Sequence, residues 1–113
     1  MGGEEWPSTR EIPPVLVARF DVYRVDGSYY LDVQTDLLHG LNTRLVAPLV
    51  QVHGGPVPAG RLNPVIDIAG ELYSLHPQLM VAVPAGSLRA PVDNLMRHYD
   101  RIVAAIDMIF LGF

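Results

Sequence analysis

Glycine and proline divide most of this chain into segments that suit short strands joined by turns. The sequence contains ten of each residue type, and all of them except Gly112 lie at or before Pro91. The clearest turn is Asp26-Gly27, because glycine adopts positive φ without steric cost. Alternating apolar residues on both sides of that turn are typical of a two-stranded hairpin. The spacing therefore predicts a sheet of short antiparallel strands.

The predicted strands are residues 15–25, 29–35, 44–52, 64–68, 71–76 and 79–83. Pro48 lies inside the third strand, and because proline cannot donate to a ladder it indicates an edge or a bulge there. Asp32 and Asp36 fall on one face of the second strand, and a solvated sheet surface accounts for both. Residues 54–60 form a loop that lacks the Gly-Lys-Ser/Thr ending of a phosphate cradle.

After Pro91 the pattern changes to helical spacing. The apolar stripe is Leu95, Tyr99, Ile102, Val103, Ile106, Ile109 and Phe110. It predicts a single C-terminal helix whose Ile102, Ile106, Ile109 and Phe110 belong to the core. Gly112 is placed where a left-handed residue would end the helix. The whole pattern predicts a mainly β protein, a strongly bent antiparallel sheet or open barrel packed on a C-terminal helix.

The end of the chain is more apolar than this core requires. Met108, Leu111 and Phe113 lie off the stripe or beyond it, and Leu37-Leu38 forms a second apolar pair in a turn. Exposed apolar clusters are costly to keep unless they bind something. These residues therefore predict a partner-binding surface.

Composition limits the class of protein. The chain has 113 residues, of which 50% are hydrophobic and 18% charged, so we expect one globular domain that forms at least a homodimer. Its net charge of −4 and eight basic residues make it a poor match for a phosphate backbone. It has no cysteine, no signal-like start and no apolar run of roughly 20 residues, so we expect a cytoplasmic protein without a membrane role.

No pattern of catalytic or metal-binding residues emerges. His39, His53, His76 and His98 show no metal-ligand spacing, and the serines lie in no nucleophile motif. We therefore predict no metal, no cofactor and no catalytic residue. The Pro- and Gly-rich start predicts a poorly ordered extension over residues 1–16, followed by one domain over residues 17–113.

From Ala18 onward the chain resembles the CcdB toxins of bacterial toxin–antitoxin modules. The stretches that carry the resemblance are RFDVY (19–23), LDVQTDLL (31–38), RLVAPL (44–49), LNPVIDI (62–68) and IDMIFLGF (106–113). No single stretch is diagnostic, but the ordered set that ends at the chain terminus is specific. Because the family starts near Ala18, residues 1–16 are interpreted as an upstream artefact or a dispensable arm.

The resemblance implies a homodimer of SH3-like barrels, each with a C-terminal helix. It implies a non-enzymatic poison of DNA gyrase that inserts between the arms of the A subunit and traps the cleaved-DNA complex. It also implies a CcdA-like antitoxin whose disordered tail wraps the dimer and displaces gyrase. The operator DNA is then contacted only through the antitoxin complex, which represses the operon.

The resemblance places the gyrase contact on Leu111, Gly112 and Phe113, supported by Phe110 and Asp107. The turn pair Leu37 and Leu38 completes the implied site. The best-known member of the family has a tryptophan, which stacks on an arginine of gyrase, where this chain has Leu111. Leucine cannot supply that stacking, and Phe113, an aromatic residue one turn-step away, could substitute.

Two alternatives remain open at this point. One is an endoribonuclease of the MazF/Kid type, which shares the barrel and could recruit Arg44, Asp67 and His39 as cationic and acid–base groups. The other is a toxin relic that binds antitoxin but no longer harms gyrase.

Overall fold

The computed structural model describes residues 19–35, 40–53 and 60–112. Its strands are β1 (Asp21–Val25), β2 (Ser28–Asp32), β3 (Thr43–Gln51), β4 (Val65–Ile68), β5 (Glu71–Leu75), β6 (Val81–Pro84) and β7 (Asp93–Asn94). One α-helix, α1 (Tyr99–Leu111), ends the described part of the chain, and short 3-10 turns lie at Pro77–Leu79, Ala85–Ser87 and Met96–His98. The predicted fold class, mainly β with a C-terminal helix, is confirmed.

The strands form one antiparallel sheet in the order β4-β5-β3-β2-β1-β7, and β6 also pairs with β3. Strand β3 is the longest because it serves two neighbours on one edge. Its first half pairs with β6, where Val46 faces Val81, and its last residues pair with β5, where Leu49 faces Leu75. This change of partner bends the sheet into a nearly closed barrel.

The sequence predicts an edge or a bulge at Pro48, but Pro48 lies in the central strand β3 and pairs with Tyr30 of β2 in continuous register. On the opposite side, this is the point where β3 passes from β6 to β5. Its carbonyl oxygen accepts a hydrogen bond from the backbone N–H of His76, at 3.0 Å. The nitrogen and carbonyl of one strand residue face the same edge, so the missing N–H of Pro48 falls at this change of partner. The ladder therefore tolerates proline at this position.

The hairpin turns follow the predicted chemistry. Asp26 and Gly27 have φ values of 52° and 83°, and the β4–β5 turn repeats the arrangement with Ala69 at 56° and Gly70 at 85°. Two successive left-handed residues match the right-handed twist of the flanking strands. Both turns therefore fix the register of their strand pairs.

The main core lies between the concave face of the sheet and α1. Its buried residues are Phe20, Val22, Leu31, Val33, Ala47, Leu49, Ile66, Ile68, Leu75, Leu95 and Ile102. A smaller cluster of Tyr23, Val46 and Leu88 covers the second face of β1–β3. Both faces of the central strands are therefore covered. An alternating apolar pattern predicts only one covered face, so it does not reveal the second.

The sequence placed some element boundaries wrongly. Among the described residues β1 begins at Asp21, because Phe20 has a φ of 68°, which is incompatible with a strand. The last long strand begins at Val81 instead of Leu79, since Pro77–Leu79 forms a 3-10 turn. Residues 1–18, which include the whole predicted extension (residues 1–16) and the predicted domain boundary, lie outside the described residues.

Candidate partner-binding site at the helix end

Helix α1 extends beyond the core that buries its first half. The exposed fraction is 0% for Ile102 and Ala105 but 37% for Ile109, 67% for Phe110 and 58% for Leu111. The prediction that Ile109 and Phe110 belong to the core was therefore wrong. Helical periodicity marks the face that packs, but it does not show how far along the helix the opposing layer continues.

The last turn of α1 gathers most of the predicted site. Asp107, Phe110 and Leu111 follow i, i+3, i+4 spacing and so share one helix face. Asp107 is half-buried, whereas Phe110 and Leu111 are exposed. The last turn contains no basic residue. The surface combines an aromatic ring, an aliphatic side chain and a carboxylate.

Gly112 ends the helix in the predicted left-handed conformation. Its φ is 79°, and its backbone N–H donates to the carbonyl oxygen of Met108 at 3.2 Å. A β-carbon at Gly112 would meet no neighbouring atom within 4 Å, so the restriction at this position is conformational and not steric crowding. The glycine thus sets the direction in which the chain leaves the exposed face.

The remaining predicted site residues are not placed. Leu37, Leu38 and Phe113 lie outside the described residues, as does His39. The structure therefore brings together Asp107, Phe110, Leu111 and Gly112, and the contribution of the other residues stays a prediction.

The buried pair Asp32–Arg44 corrects another expectation. Arg44 Nε donates to Asp32 Oδ2 at 2.7 Å and Nη2 donates to Oδ1 at 3.0 Å, with exposed fractions of 1% for Arg44 and 0% for Asp32. Asp32 does not lie on a solvated surface, because the smaller cluster covers this face of the sheet. Burial raises the pKa of Asp32, while Arg44 and the Gln34 N–H oppose that rise. The sequence missed this pair.

These contacts weaken the nuclease alternative. Arg44 is committed to Asp32 in the interior, so its guanidinium is not presented to a phosphate. Asp67 is exposed, and its Oδ1 accepts the Gly70 N–H at 2.9 Å within the β4–β5 turn. A phosphodiesterase needs cationic and acid–base groups aimed at one scissile phosphate. Of the residues considered for this role, Arg44 and Asp67 are described, and both make contacts within the fold instead.

A serine–histidine contact also fails as a catalytic pair. Ser74 Oγ and His76 Nε2 are 2.8 Å apart, and the Asn63 amide nitrogen lies 3.4 Å from His76 Nδ1. That amide nitrogen donates its two hydrogens to Gln78 Oε1 and to the Leu75 carbonyl, each at 3.0 Å, so none is left for His76 Nδ1. Ser74 Oγ donates in turn to the Val50 carbonyl at 3.3 Å, so the imidazole cannot act as its base.

Neither a metal site nor a membrane span is found in the part of the chain that the structure describes. No group of three or more His, Cys, Asp or Glu residues is placed to hold an ion there. Within the same residues, no helix has the length and apolarity needed to cross a bilayer.

Comparison with known families assigns the chain. The model of the family described as CcdB protein matches residues 19–112, which is most of the chain. The chain belongs to the CcdB family. The resemblance seen in the sequence is therefore confirmed. No curated protein matches the chain in sequence.

Solved structures show the same fold at low sequence identity. An endoribonuclease in complex with its cognate antitoxin, from a mycobacterial species, matches with a TM-score of 0.67 and 11% identity over 84% of this chain and 93% of that chain. A mycobacterial endoribonuclease matches with a TM-score of 0.69 and 11% identity over 84% and 91%. A toxin from Mtb matches with a TM-score of 0.63 and 14% identity over 81% and 99%. The CcdB-family chain thus has a fold found in toxin structures.

Proposed function

We propose that this chain is the toxin of a type II toxin–antitoxin module, binds the A subunit of DNA gyrase and traps the cleaved-DNA complex without acting as an enzyme. The observation that carries the proposal is the exposed end of α1, where Phe110 and Leu111 are 67% and 58% exposed. Large apolar side chains that stay exposed to water are a feature of interaction sites, so this surface supports partner binding. Membership of the CcdB family supports gyrase as the partner, because the resemblance to this family implies a gyrase poison.

The same proposal includes a homodimer in the cytoplasm and neutralisation by a CcdA-like antitoxin. Several large apolar side chains remain exposed on the single chain, which supports a further buried interface. The mycobacterial structure that contains a toxin with its cognate antitoxin supports an antitoxin partner for this fold. Operator binding is assigned to the antitoxin complex, because the chain carries a net charge of −4.

A cleavage-complex assay with purified gyrase and DNA tests the proposal. The full chain is compared with a chain that ends at Phe110, since removal of residues 111–113 leaves the buried residues Ile102 and Ala105 untouched. We expect trapping by the full chain and loss of trapping by the shorter one. Equal trapping by both would remove the helix end from the mechanism, and no trapping by the full chain would refute gyrase poisoning.

The second candidate is an endoribonuclease toxin, favoured by the solved structures that share this fold. The pairing of Arg44 with Asp32 argues against it. Incubation of the purified chain with bulk cellular RNA separates the two, because cleavage without gyrase trapping would reverse the order of preference. Antitoxin binding with neither activity would identify a relic, a third outcome suggested by Leu111 at the family's tryptophan position.

A further inference from the structure

We propose that a cavity beside the β1–β2 hairpin binds a small aromatic anion, a molecule with one or two planar rings and a single carboxylate or phosphate group. The cavity has a volume of about 370 Å³. The described residues that line it come from β1, β2, the turn between them, β3 and β5, and none of them belongs to α1. The site is therefore separate from the exposed helix end, and the inference goes beyond the proposed function without depending on it.

Strand register brings the walls of this cavity together. Tyr29 on β2 faces Arg24 on β1 and Leu49 on β3, while Gln51 on β3 faces Tyr73 on β5. Residues that face each other across a sheet project on the same side, and so do residues two apart on one strand. Leu49 is 4% exposed and belongs to the main core, so this side is the concave face and Leu49 is the apolar floor of the cavity.

Two half-buried tyrosines supply aromatic surface at this site. The rings of Tyr29 and Tyr73 meet edge to face, with centroids 5.0 Å apart and an angle of 75° between the ring planes. Because the two rings are nearly perpendicular, a planar ligand that stacks on one of them meets the edge or face of the other at a right angle. The pair therefore suits a flat ring better than a branched aliphatic group.

Arg24 gives the cavity its charge. It is the only charged residue among the described residues that line the cavity, and its guanidinium carbon lies 5.9 Å from the centroid of the Tyr29 ring. Glu71 does not line the cavity, and its carboxylate accepts a hydrogen bond from the Gln51 amide nitrogen. The hydroxyl groups of Ser28 and of the tyrosine pair add further donors. A guanidinium with neighbouring hydroxyl donors favours a carboxylate or phosphate group.

Size and charge favour a small anion over a polymeric one. A volume of about 370 Å³ lies near the lower end of ligand cavities, which run from roughly 300 to 1,000 Å³. A single-stranded nucleic acid needs basic groups along its whole path, but the chain has a net charge of −4 and the cavity offers Arg24 alone among its described lining residues. The ligand class is therefore a small molecule that carries one acidic group.

Nuclear magnetic resonance of the full chain tests the site with matched probes. The Arg24 Nε–H and tyrosine ring signals are followed during titration with phenyl phosphate, benzoate, benzamide or inorganic phosphate. We expect saturable shifts with at least one of the two aromatic anions, and the tighter of them identifies the acidic group. Benzamide lacks the charge and inorganic phosphate lacks the ring, so both should bind at least about tenfold more weakly. No saturable shift with either aromatic anion, or equal affinity for benzamide, would overturn the proposal.

Variants locate the binding on the molecule. Arg24→Gln should weaken binding of the aromatic anion about tenfold, because it removes a charge-assisted hydrogen bond. Arg89→Gln is the matched control, since it removes the same charge from an exposed arginine that does not line the cavity, and it should bind as the parent chain does. The chain that ends at Phe110 should also keep the parent affinity.

Three results would contradict this location. Equal weakening by both arginine substitutions would reduce the effect to overall charge. Loss of binding in the chain that ends at Phe110 would move the ligand to the helix end. Tighter binding of a single-stranded oligothymidylate to the same residues would replace the small anion with a polymer. Gyrase is absent from all of these measurements, so their outcome is independent of the gyrase assay.

Discussion

Asp32 and Arg44 place opposite charges in the interior of the sheet, at exposed fractions of 0% and 1%. Two hydrogen bonds join them, and the Gln34 N–H donates to Asp32 Oδ1 at 3.0 Å. Among the described residues, the buried Nη1 atom of Arg44 has no hydrogen-bond partner. Asp32 is the carboxylate in that part of the chain that neutralises the guanidinium.

Asp32→Asn should be strongly destabilising because it leaves the Arg44 charge uncompensated in the interior. The expected loss is about 3–5 kcal/mol in the free energy of unfolding, measured by urea denaturation. Asp93→Asn is the matched control, since it removes an aspartate from the exposed pair with Arg97 and should cost less than about 1 kcal/mol. Similar losses for both variants would show that burial of the first pair carries no special cost.

His98 makes stability depend on pH. Partial burial, together with the charges of Arg97 and Arg101, lowers the pKa of His98 below its ordinary value of 6.5. As the pH falls past 6.5, the unfolded chain takes up this proton before the folded chain does, so the free energy of unfolding decreases. This contribution is present above pH 6.5 and is lost below it.

His98→Gln should remove that contribution. We expect its urea midpoint to fall less than that of the parent chain between about pH 7 and pH 5. Carboxylates titrate in both proteins, so the relevant measurement is the difference between the two pH profiles. Parallel profiles over this range would contradict the assignment.

At the scale of single elements, the sequence predicts best what depends on local chemistry. The turn at Asp26-Gly27 and the helix end at Gly112 follow from backbone preferences, and both have the predicted positive φ at glycine. The edge or bulge predicted at Pro48 is not found, because a central strand tolerates proline where its missing N–H falls at a change of partner on one side.

The errors arise where long-range packing decides. The Asp32 assignment failed because the second face of the sheet is covered by Leu88 and Val46 from distant parts of the chain. Phe110 was assigned to the core because its spacing continues the buried stripe of Ile102, although the supporting layer ends earlier. In the candidate site, residue type and spacing identified the exposed helix tip, but they could not show that Phe110 is its most exposed member.

Gly112→Ala tests the helix end as an element. An L residue at φ 79° is strained, and with open space around its β-carbon the expected cost is about 1 kcal/mol, paid by rearrangement of the terminal residues. We expect weaker gyrase trapping with little change in the global unfolding midpoint. Gly86→Ala is the matched control because that glycine also has open space but no positive φ. Equal trapping by both variants would show that the direction set by Gly112 is unimportant.

At the scale of the whole molecule, the exposed apolar side chains predict a dimer. Leu79 is 60% exposed in the 3-10 turn that packs against α1, and the neighbouring Val81 is 48% exposed on β6. Burial of apolar area in a second copy stabilises the folded state by mass action, so an obligate dimer unfolds at a midpoint that rises with protein concentration.

We expect the thermal midpoint of the parent chain to rise when the protein concentration is increased about a hundredfold. We also expect sedimentation equilibrium to show a dimer. Leu79→Glu should shift the molecule toward monomer and remove that dependence, because a desolvated carboxylate opposes association. Val92→Glu is the matched control: Val92 is 54% exposed beside β7, at the edge of the sheet opposite β4.

A midpoint independent of concentration in the parent chain would exclude an obligate dimer. Equal effects of both substitutions would place the interface elsewhere. A dimer weakened only by Leu79→Glu would bring two α1 helices into one assembly, and a partner protein would then meet two exposed helix ends, each with Phe110 and Leu111.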